Sequence, residues 1–359
     1  MADGRYAAVV PERTAQRLLA WYGRSGRDLP WRNTRDPYRV WVSEIMLQQT
    51  GVDTVIPYYQ RFLSAFPTVA DLAAAPLERV LELWAGLGYY SRARNLHAAA
   101  RQVIEEHSGS FPADAGALMA LPGVGRSTAG AIMSIAFDRP VPILDGNVRR
   151  VLCRLYGIDR DPRRRAVENQ LWELAAALTP ADRPHDYAQA IMDLGATLCT
   201  PRRPLCDPCP LAFCCAARAS GRQAELPVRG PKKTVPQVVQ VALLLSCRGR
   251  YLVCRRPLDG MLGGLWEFPA VTLPDGAEAA SAAQRLLQER GLRATLREAG
   301  QVKHAYSHFR VEVRLFLGEA DDPAWVAEGD QRWVSVEALR DWPLHGAHRK
   351  ALTVLPPEL

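Results

Sequence analysis

The segment LPGVGRSTAG, residues 121–130, decides how the first part of this 359-residue chain folds. Its two glycines, Gly123 and Gly125, allow a tight turn between a preceding helix and a helix that begins near Arg126. The first turn of the new helix offers backbone N–H groups without intrahelical partners, and a phosphate can bind there. Such contacts hold a DNA backbone without reading its sequence, so the segment predicts a helical hairpin for DNA. A lone Gly-x-Gly is common at helix corners, and this interpretation therefore depends on the rest of the chain.

Amphipathic helical patterns flank the hairpin on both sides, punctuated by Pro and Gly. The pattern predicts helices over residues 12–22, 38–50, 57–65, 77–85, 91–107, 127–136, 147–156, 166–178 and 186–198. Strand-like alternation is scarce there, so residues 1–216 are predicted to be all-α. A polar stretch rich in Gly, Pro and basic residues follows, and we interpret 217–235 as a linker.

The period of the apolar pattern changes after the linker. VVQVALLLSC, RYLVCRR, HFRVEVRLFLG and QRWVSV are typical of strands, and one helix is predicted near 278–290. Residues 236–359 therefore predict a second domain of α+β type. The fold class is a multidomain protein, all-α and then α+β.

The net charge of +7 is confined to the first two-thirds of the chain. Residues 1–235 contain 30 Lys+Arg and 23 Asp+Glu, whereas residues 236–359 contain 15 of each. This excess favours a polyanion partner, nucleic acid first, over a mildly basic solvated surface. No run of 18 apolar residues predicts a membrane helix, and MADGRYAAVVPERTAQ lacks an apolar signal core. We therefore expect a cytoplasmic protein, nucleoid-associated if bacterial, with no membrane partner.

Four cysteines form the spacing C-x6-C-x2-C-x5-C at Cys199, Cys206, Cys209 and Cys215. Zinc sites usually use two short pairs separated by a longer arm, but here only one C-x-x-C occurs. Four thiolates along one irregular loop favour an iron–sulfur cluster over zinc.

Two carboxylates are candidates for chemistry. Glu44 stands among apolar residues in YRVWVSEIMLQQT, where desolvation would raise its pKa and let it donate a proton near neutrality. The alternative is an exposed glutamate on an amphipathic helix. Asp145, in VPILDGNVRRVL, precedes a helix and is first of all an N-cap. Backbone N–H bonds would also hold it charged, so it could face a developing cation.

Taken in order, SEIMLQQT, GLGYYSRARN, LPGVGRSTAG, ILDGNVRRVL and the four cysteines resemble adenine DNA glycosylases of the MutY type. That family belongs to the helix–hairpin–helix glycosylase superfamily, which also contains endonuclease III. GGLWEFP (263–269) and HAYSHF (304–309) resemble its Nudix-like, oxidised-guanine-sensing domain. The resemblance implies a six-helix module over about 31–143, an iron–sulfur module from 1–30 plus 144–216, and a [4Fe–4S] cofactor. Cys214 is then the spare thiol.

The resemblance implies removal of adenine mispaired with 8-oxoguanine or guanine in duplex DNA, by base flipping and by a monomer. Glu44 would protonate adenine N7, Asp145 would stabilise an oxocarbenium-like sugar, and Asn147 would orient carboxylates or water. The lyase branch carries a Schiff-base lysine where this chain has Ser127, and residues 1–231 contain no lysine. The resemblance therefore implies a monofunctional glycosylase.

The resemblance also assigns binding residues. The adenine pocket would contain Trp31, Arg32, Leu47 and Gln189. The DNA and lesion contacts would come from Gln49, Thr50, Leu87, Tyr89, Gly123, Gly125, His304, Ser307 and His308. In HAYSHF the residue before Ser307 is Tyr306, whereas the family usually has Phe at that position.

Three alternatives compete with this interpretation. An endonuclease III-like lyase is opposed by Ser127 and the missing lysines. A non-catalytic iron–sulfur DNA-binding or redox-sensing protein would make Glu44 and Asp145 incidental. A Nudix hydrolase needs several glutamates on one helix to hold magnesium, but here only Glu289 remains beside Arg285 and Gln288.

Overall fold

The computed structural model describes residues 8–228, 230, 235–258, 260–306, 309–320 and 329–355. The chain forms two compact units. The first comprises Met1–Ala75 and Asn95–Pro231, and the second comprises Pro76–Arg94 and Lys232–Leu359. The segment Pro76–Arg94, which the sequence groups with the helical region, thus belongs to the second unit.

In the first two-thirds of the chain every regular element that the structure describes is a helix, as predicted. In chain order the helices are α1 (Pro11–Ser25), α2 (Pro37–Leu47), α3 (Val52–Ala65), α4 (Val69–Ala74), α5 (Leu77–Trp84), α6 (Ser91–His107), α7 (Ala115–Ala120), α8 (Arg126–Ile135), α9 (Gly146–Leu155), α10 (Arg165–Leu178), α11 (Pro184–Thr197) and α12 (Ala216–Ala219). The nine predicted helices are confirmed. The additional α4, α7 and α12 have six residues or fewer, too few for an apolar period to emerge from the sequence.

Local capping explains where the site-bearing helices begin. Asp36 accepts a hydrogen bond from the Tyr38 amide, and Pro37 occupies the first turn of α2. Asp145 caps α9 in the same way through the Val148 amide. Burial of Trp41 from α2 and Ile132 from α8, both 0% exposed, anchors these helices in the core of the first unit.

The second unit contains one mixed sheet. Its strands are β1 (Gln237–Cys247), β2 (Arg250–Arg255), β3 (Trp266–Glu267), β4 (Ala270–Thr272), β5 (Arg297–Ala305), β6 (Arg310–Glu319) and β7 (Gln331–Ser335), and its later helices are α13 (Ala279–Glu289), α14 (Val336–Asp341) and α15 (Gly346–Ala351). The strand order is β3-β2-β1-β6-β5, with β4 paired to β1 and β7 to β2. β1 and β6 run parallel, with Gln237 opposite Arg310 and Ser246 opposite Glu319.

Alternate residues of β1 belong to two hydrophobic cores, one on each face of this sheet. Ala242 and Leu244 face a core that contains residues of α14 and α15, whereas Leu243 and Leu245 face the core beneath α13. The sequence missed β5 because its mostly exposed residues, REAGQVKHA, show little apolar alternation. Among the described residues, no helix is long and apolar enough to cross a membrane.

Candidate active site

Glu44 lies on α2 among buried apolar neighbours. Desolvation raises the pKa of its carboxyl to about 7; the Arg32 guanidinium opposes this shift, and the Asp145 charge adds to it. The effects of Arg32 and Asp145 also show that residues far apart in sequence come together around Glu44. A carboxylic acid that holds its proton near neutrality can act as a general acid.

Arg32 is held in place by α11. It is 9% exposed; its Nη1 donates to Gln189 Oε1 (3.0 Å) and its Nη2 to Asp193 Oδ1 (2.6 Å). Asp193 is fully buried and also accepts three hydrogen bonds from Arg27, through its backbone amide, Nε and Nη2. Sequence reasoning missed Asp193. The available signal was an aspartate four residues after Gln189 on the buried face of a helix, since a buried carboxylate needs a cationic partner.

The amide of Gln189 has one orientation. The Nδ1 of His185 lies 2.7 Å from the carbonyl of Ile135, so Nδ1 donates and Nε2 of the same ring accepts. That Nε2 lies 2.7 Å from Gln189 Nε2, which is then the donor, while Gln189 Oε1 receives Arg32 and the Tyr22 hydroxyl (3.3 Å). Gln189 is 1% exposed and retains one amide hydrogen for a ligand.

Asp145 is fixed by its own helix. Its Oδ1 accepts from the Val148 amide (2.7 Å), and Oδ2 lies 3.3 Å from the Asn147 side-chain nitrogen. Desolvation nevertheless raises the pKa of Asp145 above its ordinary value, against the lowering by the Val148 and Asn147 amides and by Arg150. The N-cap bonds thus favour the charged carboxylate, as expected, and burial opposes them with the larger effect.

Arg150 is a second residue that sequence reasoning missed. Its Nη2 donates to Asn147 Oδ1 (2.8 Å) and to the Gly195 carbonyl (2.7 Å), and its Nε donates to the Cys199 carbonyl (2.7 Å). Arg150 therefore connects the residue beside Asp145 with the first cysteine of the loop. The second arginine of VRRVL gave no sequence signal for this contact.

Two glycines allow the site-bearing segments to approach closely. A Cβ at Gly130 would lie 2.3 Å from the Pro142 carbonyl oxygen, so α8 can touch the segment that leads to Asp145 only without a side chain there. A Cβ at Gly195 would lie 2.6 Å from the Cβ of Asn147. Near the contact between Gly130 and Pro142, Ser127 Oγ accepts a hydrogen bond from the Leu144 amide (3.0 Å). Ser127 thus fixes the residue that precedes Asp145.

The helical hairpin has the predicted form. Gly123 adopts a φ of 79°, and a Cβ there would lie 2.9 Å from the Cβ of Asn95, so the turn requires glycine on both grounds. Gly125 is the N-cap of α8, makes no side-chain cap and faces open space. The first amides of α8 are therefore accessible to an anion.

The four predicted cysteines converge. Cys199, Cys206, Cys209 and Cys215 line one pocket together with Arg154. Arg154 is 2% exposed, and its Nη1 lies 3.2 Å from Cys199 Sγ and 2.8 Å from the Thr200 carbonyl.

Cys214 does not line that pocket. It is fully buried, and its Sγ lies 3.6 Å from the Leu211 carbonyl. Thr14 of α1 lies near this thiol and lowers its pKa against the larger effect of burial. The structure thus separates the adjacent thiols of Cys214 and Cys215.

The donor set of the pocket fits a thiolate-bound group. Desolvation raises the pKa of Cys209 to about 12 and also raises that of Cys215, and in both cases the neighbouring thiols add to the shift. Such crowded thiols ionise together only when a cationic centre balances them. The Arg154 guanidinium contributes one positive charge and further hydrogen bonds to the loop.

The remaining predicted pocket and DNA residues differ in exposure. Trp31 is buried and packs edge-on against Tyr59, with ring centroids 5.2 Å apart, and Leu47 ends α2 half-buried. Thr50, also half-buried, donates from its amide to the Leu47 carbonyl. Gln49 is exposed and adopts a left-handed backbone with φ of 60°.

Leu87 and Tyr89 belong to the second unit. Leu87 is 5% exposed, whereas Tyr89 is half-buried and has a φ of 51°. The two residues predicted to enter the duplex, Gln49 and Tyr89, are thus both non-glycine residues with positive φ, a strain that is often found at functional sites.

In the second unit His304 is half-buried at the end of β5. Its ring meets Tyr306 edge-on at 4.4 Å, and desolvation, with lesser effects from Lys350 and His345, lowers its pKa. Ser307 and His308, predicted to contact the lesion, lie outside the described residues.

Comparison with known proteins agrees with this architecture. Residues 42–177 match the family model "HhH-GPD superfamily base excision DNA repair protein", and residues 240–354 match "NUDIX domain". A solved thermostable thymine-DNA glycosylase is 30% identical, with a TM-score of 0.52 over 58% of this chain and 98% of its own. The fold and the site define a helix–hairpin–helix base-excision repair glycosylase joined to a Nudix domain.

Curated relatives narrow the class. The adenine DNA glycosylase of Rattus norvegicus is 40% identical over 395 residues, covering 94% of this chain and 77% of the relative. That of Homo sapiens is 40% identical over 407 residues, covering 96% and 74%. The chain belongs to the adenine DNA glycosylase family, and it is a hydrolase of N-glycosyl bonds that acts on adenine in DNA.

Proposed function

We propose that this glycosylase removes adenine mispaired with 8-oxoguanine, or with guanine, from duplex DNA after flipping the adenine out of the stack. The observation that carries the proposal is the protonation of Glu44. Desolvation raises the pKa of its carboxyl to about 7, and the negative charge of Asp145 adds to this rise. One carboxyl is protonated near neutrality, and the other receives backbone hydrogen bonds at the N-terminus of α9. This pair suits acid-assisted cleavage of an N-glycosyl bond.

In the proposed reaction Glu44 donates its proton to N7 of adenine, so that the base leaves as a neutral molecule. The bond between the base and the sugar breaks, and positive charge develops on the sugar ring. Asp145 stabilises that oxocarbenium-like charge, and Asn147 holds the Asp145 carboxylate through its side-chain amide. Glu44, now ionised, then accepts a proton from the water that attacks the sugar.

The adenine pocket is assigned to Trp31, Arg32, Leu47 and Gln189. The orientation fixed by His185 leaves Gln189 one N–H, which can donate to a ring nitrogen of adenine. Arg32 is committed to Gln189 and Asp193, so its role is to hold Gln189 and to keep a positive charge near Glu44.

We further infer that the enzyme is monofunctional. Ser127 has no amine, its hydroxyl accepts from the Leu144 amide, and residues 1–231 contain no lysine. A Schiff base with the abasic sugar therefore has no nucleophile in that region. The strand is left intact at the abasic site, and we expect the enzyme to act as a monomer.

Cys199, Cys206, Cys209 and Cys215 are assigned as the ligands of a [4Fe–4S] cluster. When bound, the cluster supplies four metal–thiolate bonds that fix the loop following α11. Arg154 and Arg150 hold the same loop through the Thr200 and Cys199 carbonyls. No step of the proposed cleavage passes through this loop.

One experiment tests the proposal. The protein is incubated with duplexes that carry adenine opposite 8-oxoguanine, guanine or thymine, and the strands are resolved with and without alkali. We expect excision opposite 8-oxoguanine and, more slowly, guanine, with strand breakage only after alkali. Equal rates opposite all three bases would contradict the proposed lesion preference, and breakage without alkali would contradict the monofunctional assignment.

A further inference from the structure

A buried polar cluster in the second unit is not used by the reaction described above. Glu267, His345 and His348 bring one carboxylate oxygen and two imidazole nitrogens within 4.8 Å of one another. Both histidines are almost fully buried, at 2% and 0% exposure. Such a group can hold a metal ion or form a hydrogen-bond network, and the proton positions distinguish the two.

The hydrogen bonds argue against a metal. The Phe268 amide donates to His348 Nδ1 (2.8 Å), so that nitrogen uses its lone pair and the proton of the neutral ring is on Nε2. A protonated Nε2 cannot bind a metal, and among the described residues it has no acceptor either. Arg256 also forms an ion pair with Glu267 and would repel a cation there.

The remaining contacts form a series of hydrogen bonds in which each donor and each acceptor can be assigned. The Ala347 amide can only donate, so the Tyr306 oxygen accepts from it (2.9 Å). The Tyr306 hydrogen is then directed to His345 Nδ1 (2.8 Å), and His345 Nε2–H donates to Glu267 Oε2 (3.1 Å). Burial raises the pKa of Tyr306 to about 12 and lowers that of His345, which keeps the phenol protonated and the imidazole neutral. Every donor in this series has an acceptor.

Tyr306, the residue after β5, also contacts Phe309, the residue before β6. Its amide donates to the Phe309 carbonyl (2.9 Å), and its ring stacks on Phe309 at 4.7 Å. The ring of His304, near the end of strand β5, meets Tyr306 edge-on at 4.4 Å. The hydroxyl therefore ties the end of β5 to α15 through Ala347 and to β3 through His345 and Glu267.

We propose that the Tyr306 hydroxyl is a positioning group: it fixes Tyr306, and with it the rings of His304 and Phe309, to the His345–Glu267–Arg256 network, and thereby sets how strongly the enzyme prefers 8-oxoguanine over guanine opposite adenine. The family resemblance implies Phe at this position, so the hydroxyl is a departure of this chain from that pattern. The inference rests on the proposed function, since it concerns the same lesion preference.

The test is the Tyr306→Phe variant of the full-length protein. It removes the hydrogen to His345 and the acceptor for Ala347 while keeping the aromatic stack. We expect the ratio of single-turnover excision rates, 8-oxoguanine duplex over guanine duplex, to fall about 10-fold, the size of effect that loss of a buried hydrogen bond produces. Excision opposite guanine should remain within about twofold of wild type. Tyr251→Phe is the matched control, because Tyr251 lies on β2 of the same unit and should leave the ratio unchanged.

A second variant separates positioning from stability. Tyr306→Phe leaves His345 Nδ1 buried without a donor, which lowers stability by itself. Combining it with His345→Phe removes that unpaired nitrogen, while Glu267 keeps Arg256 as its partner. We expect the double variant to melt nearer to wild type yet to keep the reduced ratio.

The outcomes are distinguishable. A wild-type enzyme with no preference for 8-oxoguanine would overturn the proposed function, and the inference with it. A wild-type preference that survives in Tyr306→Phe, or rates that fall equally on both duplexes, would overturn the inference alone. Recovery of the ratio together with stability in the double variant would also overturn it, because the effect would then be one of stability.

Discussion

The guanidinium of Arg150 donates to the side-chain oxygen of Asn147 over 2.8 Å, and the amide nitrogen of Asn147 in turn faces Asp145 at 3.3 Å. The same guanidinium reaches the Cys199 carbonyl, so one side chain holds both the N-terminal end of α9 and the start of the cysteine loop. Arg150 also lowers the pKa of Asp145 against the larger effect of burial.

Replacing Arg150 by leucine should therefore impair catalysis more than DNA binding. We expect Arg150→Leu to reduce the single-turnover rate about 10- to 100-fold, the range for loss of a hydrogen bond from a charged group. The pKa of Asp145 should rise further, so the variant should lose activity at a higher pH than wild type as the pH falls. Rate–pH profiles on a lesion duplex measure both effects.

Arg149→Leu is the control for this variant. Arg149 is the preceding residue on α9, but it contacts Glu168 (2.8 Å) and the Pro162 carbonyl (3.1 Å). The Arg149→Leu substitution removes one positive charge from the same helix, and it should leave both the rate and the pH profile unchanged. If the two variants lose activity equally, then general charge or helix stability, and not the Asn147 contact, accounts for the effect.

The raised pKa of Glu44 predicts a basic limb in the pH profile. The proposed acid Glu44 acts only when protonated and has a pKa of about 7, so above that pH the rate should fall about tenfold per unit. Arg32 lowers this pKa, so Arg32→Leu should move the limb to higher pH, although its loss from the pocket should also reduce the rate. Single-turnover rates between pH 5 and 9 provide the test; a rate that rises through pH 7 would exclude Glu44 as the acid.

Glu44 also links activity to stability. Its pKa in the folded protein lies above the ordinary 4.5, so the folded state binds more protons than the unfolded state between those values. Stability therefore decreases as the pH rises from about 4.5 through about 7. Glu44→Gln should bind the lesion duplex, lose turnover by at least about 100-fold, and melt higher than wild type above pH 7. An unchanged melting temperature at pH 8 would contradict the desolvated carboxyl.

Much of this site was predictable because its parts are local patterns. The apolar period gave the nine longer helices, two glycines gave the hairpin, and the position of Asp145 before a helix gave its N-cap. The spacing of four cysteines gave the members of the shared pocket. The family resemblance supplied the pairing of Glu44 with Asp145, which no local pattern contains.

What the sequence did not predict depends on contacts between distant segments. The contacts of Asp193 and Arg150 depend on the packing of α11 against the α1–α2 connection and against α9, which the sequence does not show. The desolvation of Asp145 could not be predicted either, because the N-cap bonds are local whereas the desolvation comes from the whole fold. Tyr306 departs from the Phe that the family resemblance implies. Its partner His345 lies on a later segment, so the sequence does not show that the two side chains meet.

The contact between α11 and α9 predicts a strong effect of a single methyl group. Gly195→Ala places a Cβ 2.6 Å from the Cβ of Asn147 and 3.1 Å from its backbone, so α9 must shift. Since Asn147 and Asp145 move with that helix end, we expect a loss of stability of about 1–3 kcal/mol and a lower excision rate. Gly23→Ala on α1 is the matched control, because its Cβ faces open space and alanine favours the helix. A Gly195→Ala enzyme with wild-type rate and melting temperature would show that the helices separate without cost.

The adjacent thiols Cys214 and Cys215 allow a test of the cofactor assignment. Only Cys215 lines the pocket with Cys199, Cys206 and Cys209, whereas Cys214 packs near Thr14 and Leu211. Cys215→Ser should therefore lose iron and the absorbance near ~400 nm that thiolate-bound iron clusters show. Cys214→Ala should keep both, although the lost sulfur lowers the melting temperature through the cavity that it leaves. Iron content and absorbance are measured on protein purified without oxygen. Loss of iron in Cys214→Ala with retention in Cys215→Ser would reverse the assignment, and zinc in place of iron in the wild-type protein would replace the cluster by a tetrathiolate metal site.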